Sequence, residues 1–172
     1  MATEAAPGIG AYDPKTYELL SFHDQREKFF TGEDTPRNYL ERCLETISSC
    51  DEQVKAWAYL NADPARVAAD ASTARYAAGK PLSVVDGMPL GIKDLIETVD
   101  MPTEYNCELF IGNQPIRDAA SVYFLRKGGA IILGKTVTVT LGGGDPSKSR
   151  NPFDTRRTPG GSSSGSCAAI GS

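Results

Sequence analysis

Two residue types far apart in this chain could do chemistry together. Lys93 ends an apolar approach, Met88-Pro89-Leu90-Gly91-Ile92, and is followed by Asp94. Ser162 opens a serine run inside the turn Gly160-Gly161-Ser162-Ser163-Ser164-Gly165-Ser166, which leads into Cys167-Ala168-Ala169. Serine and lysine can form a nucleophile and its base without histidine, provided the lysine is neutral. Apolar surroundings disfavour the charged form of a lysine and so suit that task. Two plainer readings stand beside this one: a surface Lys93 paired with Asp94, and a Gly/Ser stretch that is only a flexible linker. Against the linker stand its lack of repetition and the return of Cys167, Ala168, Ala169 and Ile170, which look like the opening turn of a close-packed helix.

The elements that must hold these residues are legible in part. Residues 1–34 read as an arm with at most a short helix, carrying a small apolar patch at Tyr17, Leu19 and Leu20 and a surface histidine, His23. Thr35-Pro36 is a helix start, because threonine caps free N–H groups and proline suits the first helical position. Tyr39, Leu40, Cys43, Leu44 and Ile47 then share one stripe, with Cys43 as a buried structural thiol. The run 54–60, Val54 to Leu60, reads as a strand. Asp63-Pro64 repeats the cap-and-proline start for an alanine-rich helix to Ala78, with Val67 as its main larger anchor.

Proline and two glycines between Val84 and Asp94 favour a short strand or extended passage holding Lys93. Arg117 and Asp118 lead into a helix with Val122, Tyr123 and Leu125, stopped by Gly128-Gly129. Ala130-Ile131-Ile132-Leu133-Gly134 follows as a buried strand, and Val137, Val139 and Leu141 continue as an alternating strand or a loop wall. Helix, tight turn and apolar strand in that order favour α/β layers. Gly129 to Thr136 also satisfies the phosphate-loop string GxxxxGK[ST]. Its inner positions look like a strand, and the β-branched run Val137-Thr138-Val139-Thr140 is a poor helix start, so nucleotide binding is set aside.

Composition narrows the classes. The chain has 172 residues, 40% hydrophobic and 23% charged, which suits a globular body of one domain. Its net charge of −4 gives no support to a nucleic-acid surface. No apolar run approaches the roughly 20 residues that cross a membrane, and the start has no basic-then-apolar leader. Four spread cysteines without a CxxC pair, and a single histidine, speak against zinc and for free thiols in the cytoplasm. No metal or cofactor is expected.

The segments 87–94, Gly87 to Asp94, and 158–169, Thr158 to Ala169, resemble the two early hallmarks of the amidase signature family. Gly129 to Thr136 and Ser149-Arg150-Asn151-Pro152 between them are similar to the same family, so the likeness runs from about residue 35 to the last residue. It implies the N-terminal portion of an α/β/α fold with a mixed central sheet, occupying 35–172. It also implies hydrolysis of small-molecule carboxamides through a Ser–Ser–Lys triad and an acyl-enzyme. Lys93 then matches the triad lysine, Ser162 the middle serine that family members hold on a cis peptide bond, and Ser163 a residue supporting the site through hydrogen bonds. The family's nucleophile sits some two dozen residues beyond the middle serine. The chain stops ten residues after Ser162, so the nucleophile is expected outside it. A truncated product, one half of a split enzyme completed by a second chain, and a non-catalytic interaction or regulatory remnant are the readings that follow.

Overall fold

The computed structural model describes residues 21–172. The apolar patch at Tyr17, Leu19 and Leu20 lies outside the described residues. Helix α1 (Phe22–Thr31) is capped by Ser21, whose hydroxyl accepts from the His23 N–H, and ends at Gly32 in the left-handed region, φ 75°. His23 on it is exposed. Helix α2 (Pro36–Val54) begins at the expected threonine cap: Thr35 Oγ1 accepts from the Asn38 N–H at 3.1 Å. It runs past the periodic stripe to Val54, so the strand read from Val54 starts only at Trp57. Lys55, at φ 55°, ends the helix, and the Asp51 carboxylate accepts the next N–H, that of Ala56.

Strand β1 (Trp57–Leu60) leads directly into α3 (Ala62–Ala77), which starts at Asn61 and not at Asp63. The side chain of Asn61 donates to Asp100 instead of capping the helix. Val67 is 70% exposed and anchors nothing; the inward face of α3 is Ala65, Ala69, Ser72 and Tyr76. Small residues there let the helix backbone lie close to the sheet. Strand β2 (Pro89–Lys93), helix α4 (Ala120–Lys127) and strand β3 (Ile131–Thr136) complete the frame, and every residue of β3 is buried. The phosphate-loop string is therefore strand from Ile131 to its end at Thr136, with no α-helix directly after it. Val137, Thr138 and Val139 follow as a buried extended wall, not a strand, and a short 3-10 turn closes it.

Among the described residues the sheet has the order β1-β3-β2, with β1 antiparallel and β2 parallel to β3. Helices α2 and α3 cover one face through Leu40, Ala65, Ala69, Ile131 and Leu133. On the opposite face α4 packs Val122 against Ile92, Met101 and Ile132. This is an α/β/α arrangement with a mixed sheet. The Gly/Ser segment is ordered and ends in helix α5 (Ser164–Gly171), whose Ala168 packs with Cys50, Val54 and Ala56. Cys43 is half-buried on the rim of an apolar groove of about 510 Å³ between α2, α5 and the sheet. No described helix is long and apolar enough to cross a membrane.

The approach to β2 is fixed by Asp86, which is fully buried. It accepts from Ser72 Oγ at 2.7 Å, from the Leu82 N–H at 2.7 Å and from both Arg75 Nε and Nη2 at 2.8 and 2.6 Å. Burial pushes its carboxyl up, but the Arg75 guanidinium, the Leu82 N–H and the Ser72 hydroxyl outweigh that and hold it below the ordinary value. Replacing Arg75 by Met leaves a buried carboxylate without its cation and should cost about 3 kcal/mol in urea unfolding at pH 7. A depressed carboxyl stabilises fully above the unfolded value of about 4 and loses that contribution as pH falls through the folded value. The gap between wild type and variant should therefore close on acidification.

Candidate active site

The candidate site forms where β2, β3 and the α5 segment meet. Lys93 and Thr136 are register partners on the parallel strands, so their side chains leave the same face of the sheet. On that face Lys93 Nζ donates to Ser162 Oγ at 2.6 Å, and Thr136 Oγ1 lies 2.8 Å from Ser166 Oγ. The two residues singled out from the sequence, 69 positions apart, are thus in direct hydrogen-bond contact. Lys93 is half-buried and takes part in no ion pair among the described residues. The alternative pairing with Asp94 does not occur: Asp94 leaves the opposite face, where Lys135 Nζ lies 3.0 Å from its Oδ1.

Ser162 is held through its backbone. Its carbonyl accepts from the Val139 N–H at 3.1 Å and from Thr138 Oγ1 at 3.0 Å, and the Gly161–Ser162 peptide is cis. The wall after β3 thereby carries the serine, while β2 carries the lysine. Ser163 stands at the head of α5, and its carbonyl accepts from the Cys167 N–H at 3.1 Å. Ser164 is buried, accepting from Ser147 Oγ at 2.6 Å, which ties the preceding loop to the helix. The N–H of Gly165 donates to the Val137 carbonyl at 2.8 Å.

Gly165 makes this approach possible. A Cβ there would strike the Ala56 carbonyl and the Val137 backbone, so helix and wall lie closer than any side chain allows. A similar requirement holds at Gly91, where a Cβ would lie 2.6 Å from Thr136 Cγ2 and 3.0 Å from the Trp57 ring. On the face of Asp94 a cavity of about 700 Å³ opens along Asp94, Glu104, Cys107, Thr138 and Lys148, and neither Lys93 nor Ser162 lines it.

Sequence reasoning missed Thr136, Thr138 and the partner of Asp94. One signal was available for the last: Lys135 directly follows a run that reads as buried strand, and a buried ammonium needs an anion.

The described residues thus form an α/β/α arrangement that brings a lysine amine onto a serine hydroxyl. The family model for amidases matches residues 38–172, and the chain belongs to the amidase signature family. It is 38% identical over 159 residues to a glutamyl-tRNA(Gln) amidotransferase subunit of Acidothermus cellulolyticus, covering 89% of this chain and 30% of that protein. The corresponding protein of Roseiflexus sp. is 35% identical over 157 residues, with 88% and 32% covered. The native peptide amidase of Stenotrophomonas maltophilia superposes with a TM-score of 0.81 at 28% identity, covering 91% of this chain and 34% of that structure. The chain spans about a third of the length of the relatives it matches.

Substituting Gly165 by Ala should lower unfolding free energy by about 2 kcal/mol, since the added methyl meets backbone atoms that have no rotamer to yield. Urea titration of the two proteins measures it.

Proposed function

We propose that this chain supplies the base and the relay serine of a carboxamide hydrolase that works through an acyl-enzyme. The observation that carries the reading is the 2.6 Å contact between Lys93 Nζ and Ser162 Oγ, made by a lysine with no carboxylate partner among the described residues. With its proton removed, the amine of Lys93 accepts from Ser162 Oγ–H across the same contact. Ser162 in turn accepts the proton of a nucleophilic serine, which this reading assigns to the rest of the fold, since the chain covers only about a third of its relatives' length. That serine attacks the amide carbonyl, and N–H donors stabilise the tetrahedral oxyanion. The proton returns through Ser162 to the departing ammonia or amine, and water releases the acid from the acyl-enzyme.

Ser163 is assigned a supporting role through hydrogen bonds at the head of α5. The catalytic unit then comprises this chain, a carboxamide substrate and the remaining two thirds of the fold, as continuous polypeptide or as a second chain. The names of its relatives, a peptide amidase and part of an amidotransferase, both fit carboxamide chemistry. All four cysteines are free thiols, which suits a cytoplasmic setting.

The test uses the complete protein that contains this chain, isolated from its source with every polypeptide identified by intact mass. A fluorophosphonate should label a serine outside residues 1–172. Lys93→Ala should abolish that labelling and reduce amide turnover at least about a hundredfold, the range of a general base, with an unchanged melting curve. Near-normal turnover of the Lys93→Ala protein would sink the role given to the lysine.

A further inference from the structure

Two lysines stand back to back at the end of the sheet. Lys93 on β2 and Lys135 on β3 leave opposite faces, because the partner of Lys135 in the register is Ile92 and that of Lys93 is Thr136. A single carboxylate, Asp94, follows directly after Lys93 and is 3% exposed. Its backbone N–H extends the ladder by donating to the Thr136 carbonyl at 2.9 Å. That bond turns its side chain to the face of Lys135.

Lys135 is completely buried. An ammonium has three donors, and here all three have acceptors: Asp94 Oδ1 at 3.0 Å, Thr103 Oγ1 at 2.6 Å and the Pro102 carbonyl at 3.1 Å. The Asp94 carboxylate also accepts from the Glu104 N–H at 3.2 Å. Burial pushes the Lys135 ammonium down, and the Asp94 hydrogen bond and charge, with the more distant charges of Asp100 and Glu104, oppose it. The two partners are thus closed on each other and on the 102–104 loop, while Lys93 is left with a neutral hydroxyl.

We propose, resting on the assignment of Lys93 as base, that Lys135 is a positioning residue for it: by neutralising Asp94 on the opposite face, Lys135 keeps the neighbouring carboxylate from holding a proton on Lys93. The amine is then free for Ser162. Without Lys135, the adjacent buried carboxylate has no cation of its own, and its field acts on Lys93.

The readout is the chemistry of the Lys93 amine in this chain, with no turnover needed. Only a neutral amine attacks an acylating reagent, so the initial rate of Lys93 acetylation by an N-hydroxysuccinimide ester, read by peptide mass spectrometry at fixed pH, follows its unprotonated fraction. Lys135→Met should slow that rate roughly tenfold, the order of effect that one uncompensated charge on a neighbouring residue has in a protein dielectric near 20. The double variant Asp94→Asn/Lys135→Met removes both charges and should return the rate to within about twofold of wild type, with a cooperative melt, because a neutral pair can replace a buried ion pair. A purely structural role for Lys135 predicts instead that the double variant behaves like the single one.

Wild-type reactivity in Lys135→Met would overturn the proposal. So would a double variant that stays slow or loses its cooperative melt. If Lys135→Met alone fails to fold, the double variant decides on the same criteria. Loss of turnover in Lys93→Ala alongside unchanged Lys93 reactivity in these variants would retain the base and remove only the positioning role.

Discussion

The parallel pairing of β2 with β3 is the constraint on which the site depends. Side chains on paired strands alternate between faces, so register alone decides what Lys93 and Asp94 each meet. A one-residue slip would exchange them, placing the carboxylate among the hydroxyls of α5 and the lysine against Lys135. The register is pinned by an irregularity: β3 carries one extra residue at Leu133 between the partners of Leu90 and Gly91. Leu133 joins the core beneath α2 and α3 and Ile132 faces α4 by ordinary alternation, and the bulge shifts that alternation by one from Gly134 onward. It also brings Gly134 opposite Gly91 beneath the Trp57 ring, where neither position has room for a side chain.

A second constraint comes from the approach of α5. This helix is built mostly from small residues, and it offers hydroxyls to its neighbours in place of apolar bulk: Ser164 bonds Ser147 in the preceding loop, and Ser166 bonds Thr136 on β3. Hydrogen bonds between short side chains set distances more sharply than aliphatic contacts do, because they fail over a few tenths of an ångström. The cost is a segment with little hydrophobic anchorage of its own, for which Ala168 among Cys50, Val54 and Ala56 is the main packing contact. The backbone bonds of Ser162 and Gly165 to the 137–139 wall make up for it.

Burial divides the charges of the molecule by task. Asp86 and Arg75 fasten α3 to the approach of β2, Asp94 and Lys135 fasten the end of β2 to the 102–104 loop, and both carboxylates are almost wholly out of water. Surface pairs such as Arg37 with Asp70 contribute much less, since solvent screens them. Against this background Lys93 differs from Lys135 by its partner: a hydroxyl holds it, where a carboxylate holds the other.

The sequence by itself determined the local features. Thr35-Pro36 started α2 as read, Gly128-Gly129 ended α4, and the apolar run after them became the buried β3, because caps, left-handed turns and hydrophobic runs act within a few residues. Lys93 and Ser162 were marked by type, surroundings and family likeness. Where local rules competed, the reading erred: Val54 stayed in α2 because its packing with Cys50 and Ala168 outweighed strand propensity, and Val67 stayed outside because α3 buries its smaller residues against the sheet. Only the tertiary structure decided which lysine takes Asp94 and that Thr138 carries the serine backbone. Those outcomes depend on strand register and on bonds between residues dozens of positions apart, and no local rule carries that information.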